Sequence, residues 1–359
     1  MRETEGWNGM ELTDLWEEMR MGELGERISE AFPSLELSLD TMLGLLMQGR
    51  FGELWKYFWE RGIAGLTIEE SGAWTLFVSL VLLGAFSAAL MRFSDTYEKY
   101  QVSEMSFYLA YLLQAAILAR CFSQMLGIAT AAIERIVGFI KLLMPVYLVS
   151  VSVATGSMSA GASHQMTVLL LLVVEEALRR CFLPLTSCFF LLTVLEGVMG
   201  QERLERMTEL LKKAVSVGLK GLLGAVAGMG FLQKMLAPAV DKLQGSALMK
   251  GVSAIPGIGD GVEGVLEIIL GSATIVKNAA GIVMTVLLFF LCLKPLWELL
   301  LLAVTLRFAA AVMGIICDKR LAKSADRAGE AGMLLLGIAG VTMLFFEICL
   351  AVAVSSVRT

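Results

Sequence analysis

Charge is scarce in this chain. Of 359 residues only 18% are Asp, Glu, Lys or Arg, and 57% are hydrophobic. A soluble domain carries about a quarter charged residues. With a mean hydropathy of +0.74, the balance excludes an ordinary soluble globule and points to an integral membrane protein. Histidine is almost missing: His164 stands alone, so a metal site would need carboxylates only. The six cysteines, at 121, 181, 188, 292, 317 and 349, form no C-x-x-C pair. Zinc and thioredoxin-type readings therefore lack their spacing, and small apolar packing roles remain. No basic cluster accompanies the acidic residues, which argues against nucleic-acid binding. The opening "MRETEGWNGMELTDLWEEM" lacks the charged start and apolar run of a secretion signal.

What is there is sorted by position. Residues 1–73 hold 15 acidic and 6 basic side chains, and the rest hold 19 and 23. An acidic head thus precedes a mildly basic body. Loops poor in Lys and Arg suit the non-cytoplasmic side. Residues 1–72 are expected to form an acidic, amphipathic-helical extracytoplasmic head. Leu12, Leu15 and Trp16 share one helical face, as do Leu54, Trp55, Phe58 and Trp59. Such helices lie at a membrane surface or pack on each other or a partner.

Residues 73–359 are expected to form a polytopic, all-α membrane domain. The apolar segments 73–91, 105–129, 136–153, 165–178, 181–200, 279–293, 295–317 and 331–354 predict about eight spans. Arg120, Pro145, the Glu175–Arg180 charges and Lys294-Pro295 mark the breaks. Residues 203–213 and "DKRLAKSADR" (318–327) are basic and predict one shared, cytoplasmic side. Residues 214–276, rich in glycine and more polar, predict amphipathic or re-entrant helices, only partly inserted. Residues 154–164 form a small-residue stretch suited to a tight crossing or a break.

"GDGVEG" (259–264) spells G-x-G-x-x-G. A dinucleotide site needs a strand before it and an acidic residue about 20 positions on. Pro256 and Gly251 interrupt the would-be strand, and "AGIVMTV" supplies no acid. The glycines read instead as backbone-packing positions at a Pro/Gly turn. No cofactor or metal is expected. Lys141, Glu196, Glu298, Arg307 and Glu347 fall in or near spans, where a charge faces a partner or water or snorkels from a span end. Glu347, deep in "VTMLFFEICLAVAV", is the foremost candidate for a buried polar contact. Glu175-Glu176 cannot share one site, because neighbouring helical positions diverge by about 100°. Arg179 and Arg180 lie four residues on from them, at ion-pair spacing.

Several blocks together resemble one family. "IPGIGDGVEGVLEIILGSATIVKNAAGIVMTVLLFF" carries Pro256, Gly257, Gly259, Gly261, Gly264, Lys277, Asn278 and Gly281. "IVGFIKLLMPVYLVSVSVATGSMSAGASHQ", "AVDKLQGSALMK" and "LRFAAAVMGIICDKRL" agree in order. Over about 50–355 the chain resembles the stage III sporulation protein AE family. Gln165, where the family has proline, and Lys242, where it often has glycine, are departures. The resemblance implies a multi-pass subunit in the mother-cell membrane around the forespore. Its partners would be the sister stage III proteins AA to AH and, indirectly, stage II sporulation protein Q. Together they would form a channel or secretion-like conduit needed for forespore development and late forespore gene expression. Self-association into a homo-oligomer stays open. A stand-alone transporter for a small solute is the alternative. An enzyme is not expected, since no nucleophile and base stand at matched spacing.

Overall fold

The computed structural model describes residues 72–95, 100–155, 169–199, 204–252 and 259–355, together with Arg50, Gly52, Glu53 and Lys56. Apart from those four residues and Gly72, the acidic head lies outside the described residues, as do Pro256, Gly257 and His164.

Six long helices carry the described chain: α1 (Ala73–Asp95), α2 (Tyr100–Thr155), α3 (Leu169–Met199), α4 (Glu205–Val252), α5 (Gly259–Ile316) and α6 (Lys319–Ser355). Five of them, all but α4, are long and apolar enough to cross a membrane. The expectation of about eight spans is not confirmed among the described residues, where several of the expected segments are continuous. The segments 105–129 and 136–153 are one helix, α2; 165–178 and 181–200 merge in α3, described from Leu169; 279–293 and 295–317 merge in α5.

The breaks read from the sequence are absorbed within helices. In α3 a π-helical turn, Leu178–Phe182, precedes Pro184, and Leu183 donates its N–H to the Leu178 carbonyl. Pro184 has no N–H to give, and the wider turn takes up the resulting misfit without ending the helix. Pro295 sits inside α5 in the same way, without ending it. Three threonine hydroxyls are satisfied within their own helices: Thr186, Thr193 and Thr342 each donate to the carbonyl four residues back, at 2.8–2.9 Å. That leaves no hydroxyl from these residues wanting a partner in an apolar surround.

Printed contacts fix helix directions. Gly314 lies against Ala322 and Gly329 against Ala303 and Arg307, so α5 and α6 form an antiparallel hairpin. Its turn is short, and the Asp318 side chain accepts the Arg320 N–H at 2.8 Å, capping α6. Arg307 pairs with Asp326 across this hairpin. Small residues bring the two backbones close: Ala303, Ala325, Ala328 and Ala331 are fully buried, and a Cβ on Gly329 would come within 3.1 Å of the Ala303 carbonyl oxygen. Small-residue seams of this kind replace the hydrophobic drive that is missing between helices in lipid.

α2 runs antiparallel to α3, through Tyr111 at Val194, Phe122 stacked on Phe190 at 4.2 Å, and Arg179 at Glu134. α4 runs parallel to α6: Glu205 meets Lys323, Lys212 meets Glu330, and Leu219 meets Gly337. The end of α3, the start of α4 and the start of α6 therefore share one end of the bundle. Both basic segments stand at that end, as their charge predicts. The segment 318–327 is helical from Lys319, however, and not an open loop.

Candidate functional site

At that end α3, α4 and α6 are joined by four charged side chains. Lys323 and Arg327 are one helical turn apart on α6, so both point the same way. Lys323 Nζ lies 3.1 Å from Glu196 Oε1 and 3.0 Å from Glu205 Oε1. Arg327 spreads its two terminal nitrogens: one is 3.2 Å from Glu196 Oε2, the other 2.7 Å from Glu205 Oε1. It also donates to Thr208 Oγ1 at 2.6 Å. Glu196 and Arg327 are nearly buried, with side chains 9% and 13% exposed. Two cations and two anions balance, which is what permits such groups to leave water. At the cluster's wetter edge, hydrogen bonding and charge from Lys323, with help from Arg327, hold the Glu205 carboxyl below its ordinary value.

A second layer latches α2 to the same place. Fully buried Gln114 donates from Nε2 to the Leu321 carbonyl at 2.8 Å and to Ser324 Oγ at 3.1 Å. Tyr111 donates its hydroxyl to the Val194 carbonyl at 2.7 Å. Gly197 makes that possible, since a Cβ there would fall 2.2 Å from the Tyr111 oxygen.

The opposite ends of α2 and α3 carry another set. Lys141 Nζ is 2.9 Å from Glu175 Oε2, and Arg179 is 3.1 Å from Glu134 and 3.7 Å from Glu175. Arg180 pairs with Glu176. These pairs line or border an open groove of about 740 Å³. Except for Glu175, whose side chain is 14% exposed, these groups are open to solvent, and such exposed pairs contribute about 1 kcal/mol or less.

The candidate residues thus divide. Glu196 sits in the buried cluster, Lys141 in the distal pairs and Arg307 on the α5–α6 hairpin. Glu298 is half-buried on α5 and belongs to neither cluster. Glu347 has one carboxylate oxygen, Oε1, enclosed without a hydrogen-bond partner among the described residues. Gly259, Gly261, Gly264, Lys277, Asn278 and Gly281 lie in the helical backbone of α5. The three glycines of "GDGVEG" are therefore not a turn: they open a 58-residue helix. Among the described residues no group of His, Cys, Asp or Glu could hold a metal ion.

Sequence reasoning missed Lys323, Arg327, Glu205, Thr208, Gln114, Tyr111 and Gly197. The available signal was Lys323-x-x-x-Arg327 beside Ala325 and Ala328. Small residues interleaved with charge mark a packed helix face, not a solvated loop.

Five helices long and apolar enough to cross a membrane, packed through small residues, suggest a multi-pass helical membrane protein. The family model for stage III sporulation protein AE matches residues 37–357, so the chain belongs to that family and to sporulation. It is 20% identical over 280 residues to stage III sporulation protein AE of Bacillus subtilis (strain 168), covering 77% of this chain and 70% of that protein. No solved structure matches it.

Proposed function

We propose that the protein is a structural subunit of a channel or secretion-like complex in the mother-cell membrane around the forespore. It has no catalytic role in this reading. Its partners are the sister stage III proteins AA to AH and, indirectly, stage II sporulation protein Q. The observation that carries the reading is family membership over nearly the whole chain. The side chains support it in kind. The buried groups at the best-formed polar site are neutralised by one another, with the hallmarks of a clamp between helices. Large apolar side chains are exposed on every helix, among them Phe86, Leu112, Leu191, Leu210, Phe308 and Leu344. They offer surface to lipid and to partner helices.

A stand-alone transporter is the competing reading, favoured by Glu347, whose enclosed oxygen marks an intramembrane polar position. Reconstitution separates the two. The purified chain alone in lipid vesicles is expected to move no small solute, while its deletion arrests forespore development. Solute flux through the lone chain would favour the transporter.

A further inference from the structure

Charge on α2 and α3 stands in two layers. Gln114 meets Ser324, and Met125 lies against Gly332. Arg120, between them on α2, is therefore level with the Glu196–Arg327 cluster. Lys141, Glu175, Glu176 and Arg180 make the other layer. From Glu176 to Glu196 α3 rises about 30 Å, and from Arg120 to Lys141 α2 rises about 31 Å. A bilayer's hydrocarbon core is about 30 Å thick. Between the layers α3 carries no charge from Cys181 to Leu195, nor does α2 from Cys121 to Ile133. The spacing fits a bilayer that takes these uncharged lengths in its core. The second layer then stands among the headgroups of the leaflet away from the basic end.

That second layer holds the groove of about 740 Å³, a volume that suits a small amphiphile. Lys141 reaches it from α2, and Glu175, Glu176 and Arg180 line it from α3. Two cations and two carboxylates balance. An anionic ligand would add a third negative charge beside the carboxylates; a zwitterion adds none. The pairs also keep bonding capacity. Arg180 and Glu176 have side chains 81% and 55% exposed. A guanidinium has five N–H donors, and a carboxylate accepts at about four sites. The two residues are one helical turn apart. The phosphate and ammonium of an ethanolamine phospholipid stand about 5 Å apart, close to one turn. One headgroup can therefore accept from Arg180 and donate to Glu176 together. Leu172, Val173 and Ala177 add an apolar wall on the same helix face. Toward the core, the exposed line continues through Cys181, Pro184, Cys188 and Leu191. Its first three side chains are small and leave a shallow strip for an acyl chain.

We propose that this groove binds one zwitterionic phospholipid by its phosphoethanolamine headgroup, with an acyl chain laid along α3. The site goes beyond the subunit reading and stands without it.

The full-length chain in detergent is equilibrated with phospholipids of one acyl composition bearing ethanolamine, choline or glycerol headgroups. Native mass spectrometry counts the lipid retained. Choline has no N–H to donate, and the glycerol lipid is anionic. Ethanolamine lipid is expected to be held about tenfold more tightly than either. The double variant Glu176→Gln, Arg180→Gln should lose that preference. Ala177→Trp fills the groove without removing a charge and should lose the bound lipid. All three positions are at least partly exposed, so melting temperatures should stay near the parent's. The headgroup comparison needs only the parent chain. Soluble phosphoethanolamine should not displace the lipid. Equal retention of the three headgroups, or preference for the anionic one, overturns the headgroup assignment. Retention unchanged in both variants means annular lipid only and overturns the site. Displacement by the soluble headgroup overturns the acyl-chain contact. Co-purification with sister proteins reads the subunit role separately.

Discussion

Glu196 and Glu347 are both carboxylates in apolar segments, yet their surroundings differ. Glu196 is held by Lys323 and Arg327, whereas Glu347 has an enclosed oxygen without a partner among the described residues. Breaking a buried pair from one side strands the other charge, at a cost of about 3 kcal/mol. Removing an unpaired buried polar group costs little or stabilises. Glu196→Leu is therefore expected to lower the apparent melting temperature in detergent, and Glu347→Leu to leave it unchanged or raise it. If Glu347→Leu keeps its stability but forespore development stops, Glu347 serves function directly. Glu205 gives a pH prediction. Its carboxyl is held below the ordinary value of 4.5, so the cluster's contribution is full above that value and is lost as pH falls through the depressed one. Melting measured from pH 7 downward should show this acid-side loss, and Glu205→Gln should show less of it. Gly197→Ala should destabilise by about 1–3 kcal/mol through overpacking on Tyr111. In a Tyr111→Leu background the added cost should shrink, as for any directly touching pair.

Elements were harder to read than residue types. Helical class was plain from apolar runs of spanning length. Helix ends were not, because charge and proline in a sequence look the same whether they close a span or sit inside one. Arg179 and Arg180 read as a boundary, yet they continue α3 because Glu134, Glu175 and Glu176 pair with them. Pro184 follows a π turn that widens the helix for it. The i,i+4 pairing of 175–176 with 179–180 was legible, being local. The Glu196 cluster was not, since its acids lie more than a hundred residues from its bases and only the α3–α4–α6 packing joins them. The α5–α6 hairpin gives a test at this scale. A Cβ on Gly332 would meet Ala303 Cβ at 2.9 Å and Met125 Sδ at 2.8 Å, while one on Gly340 would meet nothing within 4 Å. Gly332→Val should cost about 1–3 kcal/mol of stability by overpacking; Gly340→Val should leave the melting temperature nearly unchanged. Equal losses would mean that the close crossing does not hold the hairpin.

At the scale of the molecule, the clamp explains how so little charge serves so large a helical body. Ion pairs gather where helices begin and end, and the intervening lengths rely on small-residue seams and apolar contact. Exposed apolar side chains along every described helix leave surface for lipid and for neighbours. Family membership ties such a body to sporulation; the proposed subunit role would supply the neighbours. The most direct measurement is co-purification of the tagged chain from membranes of sporulating cells, followed by imaging of what it brings with it. A stable assembly containing the sister stage III proteins is the predicted result. A chain recovered alone, in a strain where it supports forespore development, would contradict the account.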